Sequence, residues 1–509
     1  MRSPLARIRP FLVPTQLVVA LLAGCGGSQA LEGAASGSES EMSPAGGTGP
    51  TTSRMATTSE PPPDGGADTG PPTTSPPTTG PPPTTADSET ASPTSTTTTT
   101  APTTTGPPAL TASFRGVSAE EIRVGFTWID FDEVNRTFGL ELRWANWLPA
   151  MEALVADLNT RGGIGGRRIA LVERSYLPGG SASAEQACLE LTADEEVFAV
   201  LNGFHGPGAE SSNECFGTHG TILVGGRPSA EQLALVDAPW ITDEMGNARR
   251  ATSFVRLLDR TGVLDDLGPV LVYGTGPGYE AAVEAAVDAL VDAGAPTPMA
   301  ARNQHGGDEP AAIAQLEVVL ERARAEGVRT VMVAGEGIRV LEYLVGRADE
   351  FDLLVHNGES VEPWNATPPT GIAEASRLLT NTRFRDHDDA STAECRRVVE
   401  AAVGHPVRPT DELGPDERDH WSALTIGCRT LALFAQVATA AGPDLTNDSF
   451  ANAAASMGDV HIPGELYASL GPDKPDARDG LALAEWDHTT GRWQQVSEVF
   501  DLGAESIPD

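Results

Sequence analysis

The feature that most constrains the fold is a long alternation of short apolar runs with stretches of helical periodicity, which begins near residue 119. Such alternation is typical of parallel sheets covered by helices on both faces. The series is too long for one open sheet and pauses near Pro239, so we predict an α/β protein with two lobes. Strands are predicted at 122–126, 169–172, 197–201, 221–224, 269–273, 328–334, 353–355 and 377–380, and helices at 183–192, 207–218, 247–260, 279–293 and 309–326.

The part of the chain after residue 380 has a different pattern. Long helices are predicted at 390–403 and 418–441. A third helix begins in the segment "LTNDSF", with Asn447 or Thr446 as its N-cap. A hairpin follows, formed by Leu481–Trp486, the turn "DHTTG" and a strand from Arg492 to Val499.

The stretch "LNTRGGIGGRRIALVE", residues 158–173, has the glycines and arginines of a phosphate-binding loop. A phosphate loop, however, leads from a strand into a helix, and here the order is reversed. Apolar residues at helical spacing end near Asn159, and the apolar run from Ile169 to Val172 follows the glycines. We therefore predict that Gly162 and Gly163 end a helix and that the loop leads into a buried strand.

Residues 1–25 have the pattern of a secretory signal peptide, with three arginines, a short apolar stretch and small residues before Cys25. The apolar stretch is shorter than the ~20 residues that a membrane span requires. The ending Leu22-Ala23-Gly24-Cys25 resembles the lipobox of bacterial lipoproteins, in which the cysteine becomes the lipidated N-terminus. The alternative is an ordinary signal peptide followed by an unrelated cysteine.

Residues 26–116 are dominated by Thr, Pro, Ser and Gly and contain little that a core would bury. Such a composition predicts a disordered, extended tether. We interpret it as a stalk that holds a folded head, residues 117–509, away from a lipid surface. A cloning linker is the alternative, but the length and irregularity of the segment argue against it.

The formal net charge of −37 and the presence of a single lysine, Lys474, exclude some partners. A surface this acidic repels nucleic acid and anionic lipid. We therefore predict no nucleic-acid partner.

Four cysteines follow Cys25 in a chain that is predicted to be exported, which indicates two disulfides. Three pairings are possible. We favour Cys188–Cys215 and Cys395–Cys428, because the members of each pair lie on successive predicted helices. No Cys/His spacing indicates a metal site, and no cofactor is predicted.

Four segments carry a family resemblance: "VSAEEIRVGF", "LVADLNTRGGIGGRRIALVE", "GPVLVYGTGPGYEAAVEAAVDALVDAG" and "FAQVATAAGPDLTNDSFANAAASMG". Their order and spacing over nearly all of 117–500 resemble type I periplasmic binding proteins, specifically the branched-chain amino acid (Leu/Ile/Val-type) substrate-binding proteins of ABC importers. The resemblance implies two Rossmann-like lobes with parallel sheets, joined by three hinge crossovers. It places lobe 1 at about 117–242 and 380–458, and lobe 2 at about 243–379 and 459–509.

Candidate ligand-binding residues of the first lobe follow its strands, because ligands of open α/β sheets bind beyond the carboxyl ends of the strands. His205 and Gly206 follow strand 197–201 and are expected to head a helix whose N–H groups face the ligand. Arg227 and Ser229 follow strand 221–224. The family has small hydroxylated residues in these two loops, which clamp an α-carboxylate. The departure here places an ordinary amino-acid ligand in doubt, and Arg227 is either a carboxylate-binding residue or a surface ion-pair partner.

Candidate residues of the second lobe are Tyr279, Glu336 and Glu359. The resemblance gives Tyr279 the position of an aromatic side chain that covers the ligand, and Glu359 that of a carboxylate that holds the ligand ammonium. Either glutamate is alternatively a solvated loop charge. Phe138 or Trp144 is a candidate wall of the site, although an aromatic residue near a helix start is more often part of the core.

The sequence contains no nucleophile elbow, no HExxH motif and no Walker loop, which favours binding over catalysis. We therefore predict a monomeric, extracytoplasmic solute-binding protein, lipid-anchored to a bacterial membrane. It captures a small polar, amino-acid-like or amide ligand and passes it to an ABC permease. The alternative is a ligand-sensing surface receptor of the same fold with no transport role.

Overall fold

The computed structural model describes residues 110–206, 209–275, 279–303, 309–335, 337–365, 368–382, 389–414 and 417–503. The predicted signal peptide, the lipidation site Cys25, most of the predicted tether and the candidate residue Glu336 lie outside the described residues.

The first sheet contains five parallel strands in the order β2-β1-β3-β4-β5. Its central strands β3 and β4 are buried along their whole length, as expected for parallel strands covered on both faces. The strands are β1 (Glu121–Ile129), β2 (Arg168–Tyr176), β3 (Ala199–Asn202), β4 (Ile222–Gly225) and β5 (Trp240–Ile241). The helices that precede the second sheet are α1 (Phe131–Phe138), α2 (Leu148–Thr160), α3 (Ala182–Leu189, continued by a π-helical turn at Glu190–Asp194), α4 (Glu214–Thr218) and α5 (Ala230–Leu235).

The second sheet has the order β14-β13-β10-β9-β8-β6-β7, and β15 pairs with β13. Strands β6 to β10 are parallel, whereas β13 and β14 add an antiparallel edge. The elements are α6 (Asn247–Arg260), β6 (Val270–Gly274), α7 (Glu280–Asp292), β7 (Met299–Arg302), α8 (Glu309–Ala325), β8 (Thr330–Ala334), α9 (Ile338–Val345), β9 (Asp352–Val355), β10 (Leu378–Thr382), β13 (Gly480–Asp487), β14 (Arg492–Gln495) and β15 (Phe500–Asp501).

Three helices and a small ribbon lie between the two halves of the second lobe in sequence. They are α10 (Ala390–Val403), α11 (Trp421–Ala441), α12 (Asn447–Ser456), and the strands β11 (Gly458–Asp459) and β12 (Ser469–Leu470). Thr446 is the N-cap of α12, which selects one of the two predicted caps. Buried residues of all three helices belong to the same core as the first sheet.

The two lobes repeat one strand order, since β7-β6-β8-β9-β10 matches β2-β1-β3-β4-β5. The chain leaves the first sheet after Ile241, returns between Thr382 and α10, and crosses again between α12 and β13. Thr242 of the first crossover forms a parallel bridge with Asp476 of the third. The predicted fold class, two parallel-sheet lobes with three crossovers, is confirmed. β10 lies wholly in the second sheet, whereas the predicted lobe boundary at residue 380 divides it.

The glycine-rich loop joins a helix to a strand, because α2 ends at Thr160 and β2 begins at Arg168. At Gly163 the φ angle is +67°, and a Cβ atom would lie 1.9 Å from the main-chain oxygen of Arg167. Only glycine fits such a turn. The stretch is therefore a structural joint, as its element order predicts.

Three details of the sequence prediction are wrong. The helix expected at 207–218 is reduced to a short 3-10 turn at Glu210–Asn213 and the five-residue α4. The edge strand β7 and the helices α1, α5 and α9 were not expected. The folded head also begins before residue 117, because Phe114 contacts Phe198 with ring centroids 6.1 Å apart and Arg115 bonds to main-chain oxygens of the first lobe.

Two disulfides link neighbouring helices. Cys188 on α3 is bonded to Cys215 on α4, and Cys395 on α10 to Cys428 on α11, with Cα–Cα distances of 6.3 and 6.1 Å. These are the two pairs that the sequence favours.

The helix α11 is long and apolar enough to cross a membrane by length and composition, and it alone passes this test among the described residues. It is instead buried in the first-lobe core, where Leu424, Leu433 and Phe434 are inaccessible to solvent. Its apolar character is that of a core helix.

Candidate ligand-binding site

The strand order locates the site before any side chain is considered. In a sheet of order 2-1-3-4-5, the crevice opens where neighbouring strands connect in opposite directions, beyond their carboxyl ends. These points lie between β1 and β3 in the first lobe and between β6 and β8 in the second. The loops after these strands, and after the adjoining β4 and β9, are the candidate binding loops.

The backbone is strained at Asn202, the last residue of β3, a non-glycine residue with a φ angle of +79°. Its side chain donates to the main-chain oxygen of Thr127 on β1 at 2.9 Å and contacts Nε2 of His205 through Oδ1 at 2.8 Å. Such strain is found at functional sites where surrounding contacts hold it. Asn202 therefore fixes the position of His205 at the switch point of the first sheet.

His205 and Gly206 do not head a helix, so this part of the prediction is wrong. The main-chain N–H of His205 donates to the Tyr176 hydroxyl at 2.6 Å, and that of Gly206 donates to Glu210 at 3.4 Å. Burial, and then the positive charge of Arg227, lower the pKa of His205 to about 4. His205 is therefore neutral near pH 7, and its Nε2 donates to oxygens of Asn202.

Arg227 and Glu359 form an ion pair that joins the two lobes. Arg227 follows β4 of the first sheet and Glu359 follows β9 of the second, and Arg227 Nη2 donates to Glu359 Oε2. Their side chains are only 11% and 18% exposed. Because each residue lies beyond the carboxyl end of its strand, this contact shows that the two sheets turn these ends toward each other.

Ser229, the other predicted residue of the first-lobe loop, caps α5. Its hydroxyl accepts from the Gln232 N–H at 3.2 Å, and the Gln232 side chain accepts from the Ser229 N–H at 2.9 Å. This reciprocal pair is a capping box. Ser229 therefore shapes the Arg227 loop, and its role toward a ligand stays a prediction.

The second-lobe loop that follows β9 contains His356, Asn357 and Glu359, and a 3-10 turn begins at Gly358. A Cβ atom at Gly358 would lie 1.8 Å from the main-chain oxygen of Asn381 on β10, so glycine permits this close approach. Asn357 Oδ1 accepts from Arg250 Nη1 at 2.6 Å and from the Glu359 N–H at 3.3 Å. The loop is thus held at both ends, which fixes the direction of Glu359.

Tyr279 stands at the start of α7, beyond β6, and its role in covering a ligand stays a prediction. Its ring is perpendicular to that of His356, with centroids 6.2 Å apart. Gly276, Gly278 and Glu336 lie outside the described residues. The structure therefore places Arg227 and Glu359 on facing loops, with His205 and Tyr279 on the same set of loops. Glu336 stays a sequence prediction.

The aromatic wall of the first lobe differs from the predicted one. Phe138 and Trp144 are partly buried and pack on the first-lobe core. Trp147, which is 1% exposed, lies beside the site, with its ring centroid 5.9 Å from that of His205. Sequence reasoning missed Trp147, although it directly precedes α2.

A buried group of charges, which we call the hinge ion cluster, continues from the site into the crossovers. It consists of Asp243, Glu244, Arg429, Glu465 and Arg478. Arg429 Nη2 lies 3.0 Å from Asp243 Oδ2 and 2.8 Å from Glu465 Oε1, and Arg478 Nη2 lies 2.7 Å from Glu244 Oε2.

This cluster contacts the site through Arg478, whose Nη1 is 3.6 Å from Glu359 Oε1. Burial alone would lower the pKa of Arg429, but the carboxylates of Asp243, Glu465 and Glu244 raise it, so it stays charged. One signal for this cluster is present in the sequence, because Arg429 is the only charged residue in the apolar helix α11. A buried charge in such a helix requires partners.

Among the residues that the structure describes, no group of three or more His, Cys, Asp or Glu side chains is arranged to hold a metal ion. The described residues of these loops offer hydrogen-bond donors, hydrogen-bond acceptors and charges.

No protein-family model matches the chain, and no curated protein is significantly similar to it. Solved structures are similar. An ABC transporter substrate-binding protein from Desulfitobacterium hafniense in complex with Leu matches with a TM-score of 0.52 and 17% identity, over 74% of this chain and 100% of that chain. A solute-binding protein of an ABC transporter from Rhodopseudomonas palustris HaA2, in complex with p-hydroxybenzoic acid, has a TM-score of 0.52 and 14% identity, over 75% and 98%.

A branched-chain amino acid ABC transporter protein from Thermus thermophilus with bound valine has a TM-score of 0.50 and 14% identity, over 75% of this chain and 97% of that chain. At such identities the similarity shows the fold. The chain has the type I periplasmic binding protein fold, which confirms the resemblance indicated by its sequence motifs. Each of these three structures is a protein of an ABC transporter, and the one from Thermus thermophilus is described as a branched-chain amino acid transporter.

Proposed function

We propose that this protein is an extracytoplasmic solute-binding protein that captures a small polar ligand between its lobes and delivers it to an ABC permease. The observation that carries the proposal is the Arg227–Glu359 ion pair, which places one positive and one negative side chain at the facing ends of the two sheets. Ligand binding exchanges this internal pair for two pairs with the ligand.

The charges of the site favour a ligand with both an anionic and a cationic or donor group. A guanidinium binds a carboxylate with two parallel hydrogen bonds, and Glu359 is matched to an ammonium or amide N–H. The ligands in the three similar structures, Leu, p-hydroxybenzoic acid and valine, all carry a carboxylate. We therefore assign the carboxylate to Arg227 and the donor group to Glu359, with Tyr279 as the covering aromatic ring.

A thermal-shift screen tests this proposal on a fragment that begins at Leu110. The panel contains amino acids, amides, polyamines, sugars, nucleosides and aromatic carboxylates. We expect stabilisation by a small zwitterionic or amide compound, of ~2.7 kcal/mol at a hundredfold excess over Kd. Arg227→Ala and Glu359→Ala should each weaken binding more than tenfold, because each removes the side chain that pairs with one polar group of the ligand. A sugar or nucleoside that binds both variants as well as wild type would contradict the assignment.

The predicted anchor and partners belong to the same proposal. Lipidation at Cys25 would place the head outside the membrane, and a monomer would present it to a permease. Radiolabelled palmitate should label the wild type and not Cys25→Ser. Equal labelling of both would refute the anchor. A sensing receptor of the same fold is the alternative to import, and an uptake assay with and without the cognate permease distinguishes the two.

A further inference from the structure

The side chain of His356 has one nitrogen that is held by the second lobe and one that is not. His356 directly follows β9 and is 1% exposed. Its Nδ1 lies 3.2 Å from the Gly335 nitrogen and 3.2 Å from the Val333 oxygen, both at the end of β8. Its Nε2 is buried and has no hydrogen-bond partner among the described residues.

The hydrogen bonds at the end of β8 favour one tautomer. The Val333 oxygen accepts the main-chain N–H of His356 at 3.2 Å, and its second lone pair is open to Nδ1 as well. A proton on Nδ1, however, would deprive the Gly335 N–H of the acceptor that Nδ1 provides. A neutral imidazole carries one proton, so when Nδ1 accepts from Gly335, the proton lies on Nε2. Nε2–H is therefore a buried donor with no acceptor among the described residues, a state that native structures rarely leave uncompensated.

The surroundings of His356 favour an acceptor oxygen that comes from outside the chain. The residue lies three positions before Glu359, the second-lobe partner of Arg227. Burial, followed by the charges of Arg250 and Arg227, lowers the pKa of His356 to about 3, so the ring is neutral. The Tyr279 ring stands perpendicular to it, with centroids 6.2 Å apart. A neutral donor beside arginines and an aromatic ring is suited to a carboxylate or carbonyl oxygen.

We propose that Nε2–H of His356 is a ligand-binding donor that selects a ligand with an acceptor oxygen at the second-lobe side of the cleft. The inference rests on the proposed function, in which the ligand lies between Arg227 and Glu359. His356 then acts as a specificity-determining residue. A ligand with an apolar group at this position leaves the donor without a partner, which buried sites reject strongly.

Two substitutions separate the nitrogens. In His356→Asn, an amide oxygen near the Nδ1 position preserves the acceptor for Gly335, but no group replaces Nε2. In His356→Gln, the longer amide restores a donor near Nε2. The probes are L-glutamine, L-asparagine and 4-hydroxybenzoate, each of which carries an oxygen besides its carboxylate, and they are titrated against the full chain. For a probe that binds wild type, we expect Kd to rise roughly tenfold or more in His356→Asn and to recover substantially in His356→Gln.

Nitrogen-15 spectra of histidine-labelled protein supply a readout that loss of packing alone does not move. The His356 signals are assigned as those missing from the spectra of the two variants. They should show the Nε2–H tautomer, and the chemical shift of the Nε2 proton should change when the probe binds. An Nδ1–H tautomer, or an equal affinity of a probe for wild type and His356→Asn, would overturn the assignment of His356 alone. If no probe and no member of the wider panel stabilises the wild type, the proposed function itself fails.

Discussion

At the residue scale, the Arg227–Glu359 pair is both the predicted site and a structural contact. Breaking a buried pair at one end leaves a charge without its partner. We expect Arg227→Met and Glu359→Gln each to lower the free energy of unfolding by about 3 kcal/mol, the low end of the usual range because both side chains keep some exposure. The double variant should lose much less free energy of unfolding than the two single variants lose together. Urea unfolding measures all three.

A matched control for this cycle is the exposed helix pair Arg161–Asp157, with side chains 62% and 24% exposed. Arg161→Met and Asp157→Asn should each change stability by no more than about 0.5 kcal/mol. Additive losses at Arg227 and Glu359 would show that the two charges are not coupled.

The buried histidines predict a pH dependence of stability. The pKa of His205 is lowered to about 4 and that of His356 to about 3, from an ordinary value of 6.5. Below pH 6.5 the unfolded chain therefore binds protons that the folded protein does not, so stability is full above pH 6.5 and falls as the pH decreases. The slope approaches ~1.4 kcal/mol per pH unit for each histidine.

Unfolding between pH 5 and 6.5, above the range of most carboxylates, measures this slope. His356→Gln should make the slope shallower by up to ~1.4 kcal/mol per pH unit, the contribution of one histidine. His420, whose pKa is also lowered by burial, contributes to the slope that remains. Identical slopes in wild type and His356→Gln would contradict the burial of a neutral His356.

The residues that sequence reasoning found and missed differ in the kind of signal they carry. Arg227 and Glu359 follow apolar runs of strand length, and strand ends can be recognised from the sequence. Asn202 ends β3 and His356 directly follows β9, but their importance depends on a strained φ angle and on a nitrogen with no partner among the described residues, which only the structure shows. Arg478 lies in an irregular crossover, where no periodicity marks it as buried.

At the scale of elements, long periodic segments were predictable, and short or edge elements were not. The helices α6 and α10 have the predicted bounds, because a helix of fourteen residues repeats its apolar face several times. The strand β7 has four residues that alternate between half-buried and exposed, too short a pattern to separate from a loop. The helix predicted at 207–218 is reduced to a 3-10 turn and the five-residue α4, and the preceding N–H groups of His205 and Gly206 are bound by the Tyr176 hydroxyl and Glu210.

The segment before β1 yields a prediction at this scale. Arg115 donates to the Thr192 oxygen at 3.2 Å, the His219 oxygen at 3.0 Å and Thr221 Oγ1 at 2.5 Å. A fragment that begins at Val117 lacks these bonds and Phe114, so we expect it to lose about 2–4 kcal/mol relative to one that begins at Leu110. Calorimetric melting of both measures the difference, and Arg115→Ala in the longer fragment should reproduce part of it. Equal melting temperatures would show that these contacts contribute nothing.

At the scale of the whole molecule, the fold was readable because its two lobes repeat one strand order. Alternating strands and helices dictate parallel sheets, and a series too long for one sheet dictates two lobes. The contact between the lobes was harder to predict from the sequence, because it depends on which charged side chains lie opposite each other. The facing loops contain Arg227 and Glu359 as mutual partners, and Arg478 connects Glu359 to the hinge ion cluster at the crossovers. Ligand binding between the lobes therefore acts on the same charges that join them.

A net-neutral ligand preserves the charge balance of the cleft, whereas a ligand with a single charge pairs one side chain and takes from the other its contact in the Arg227–Glu359 pair. The most direct measurement is a calorimetric titration of three compounds: the panel member that binds most tightly, its carboxamide, and its analogue without the amino group. The account predicts that each analogue binds the wild type at least tenfold more weakly than the parent compound. In Glu359→Gln, the ratio between the Kd values of the parent compound and of the analogue without the amino group should become smaller. Equal affinity for all three compounds would contradict the account.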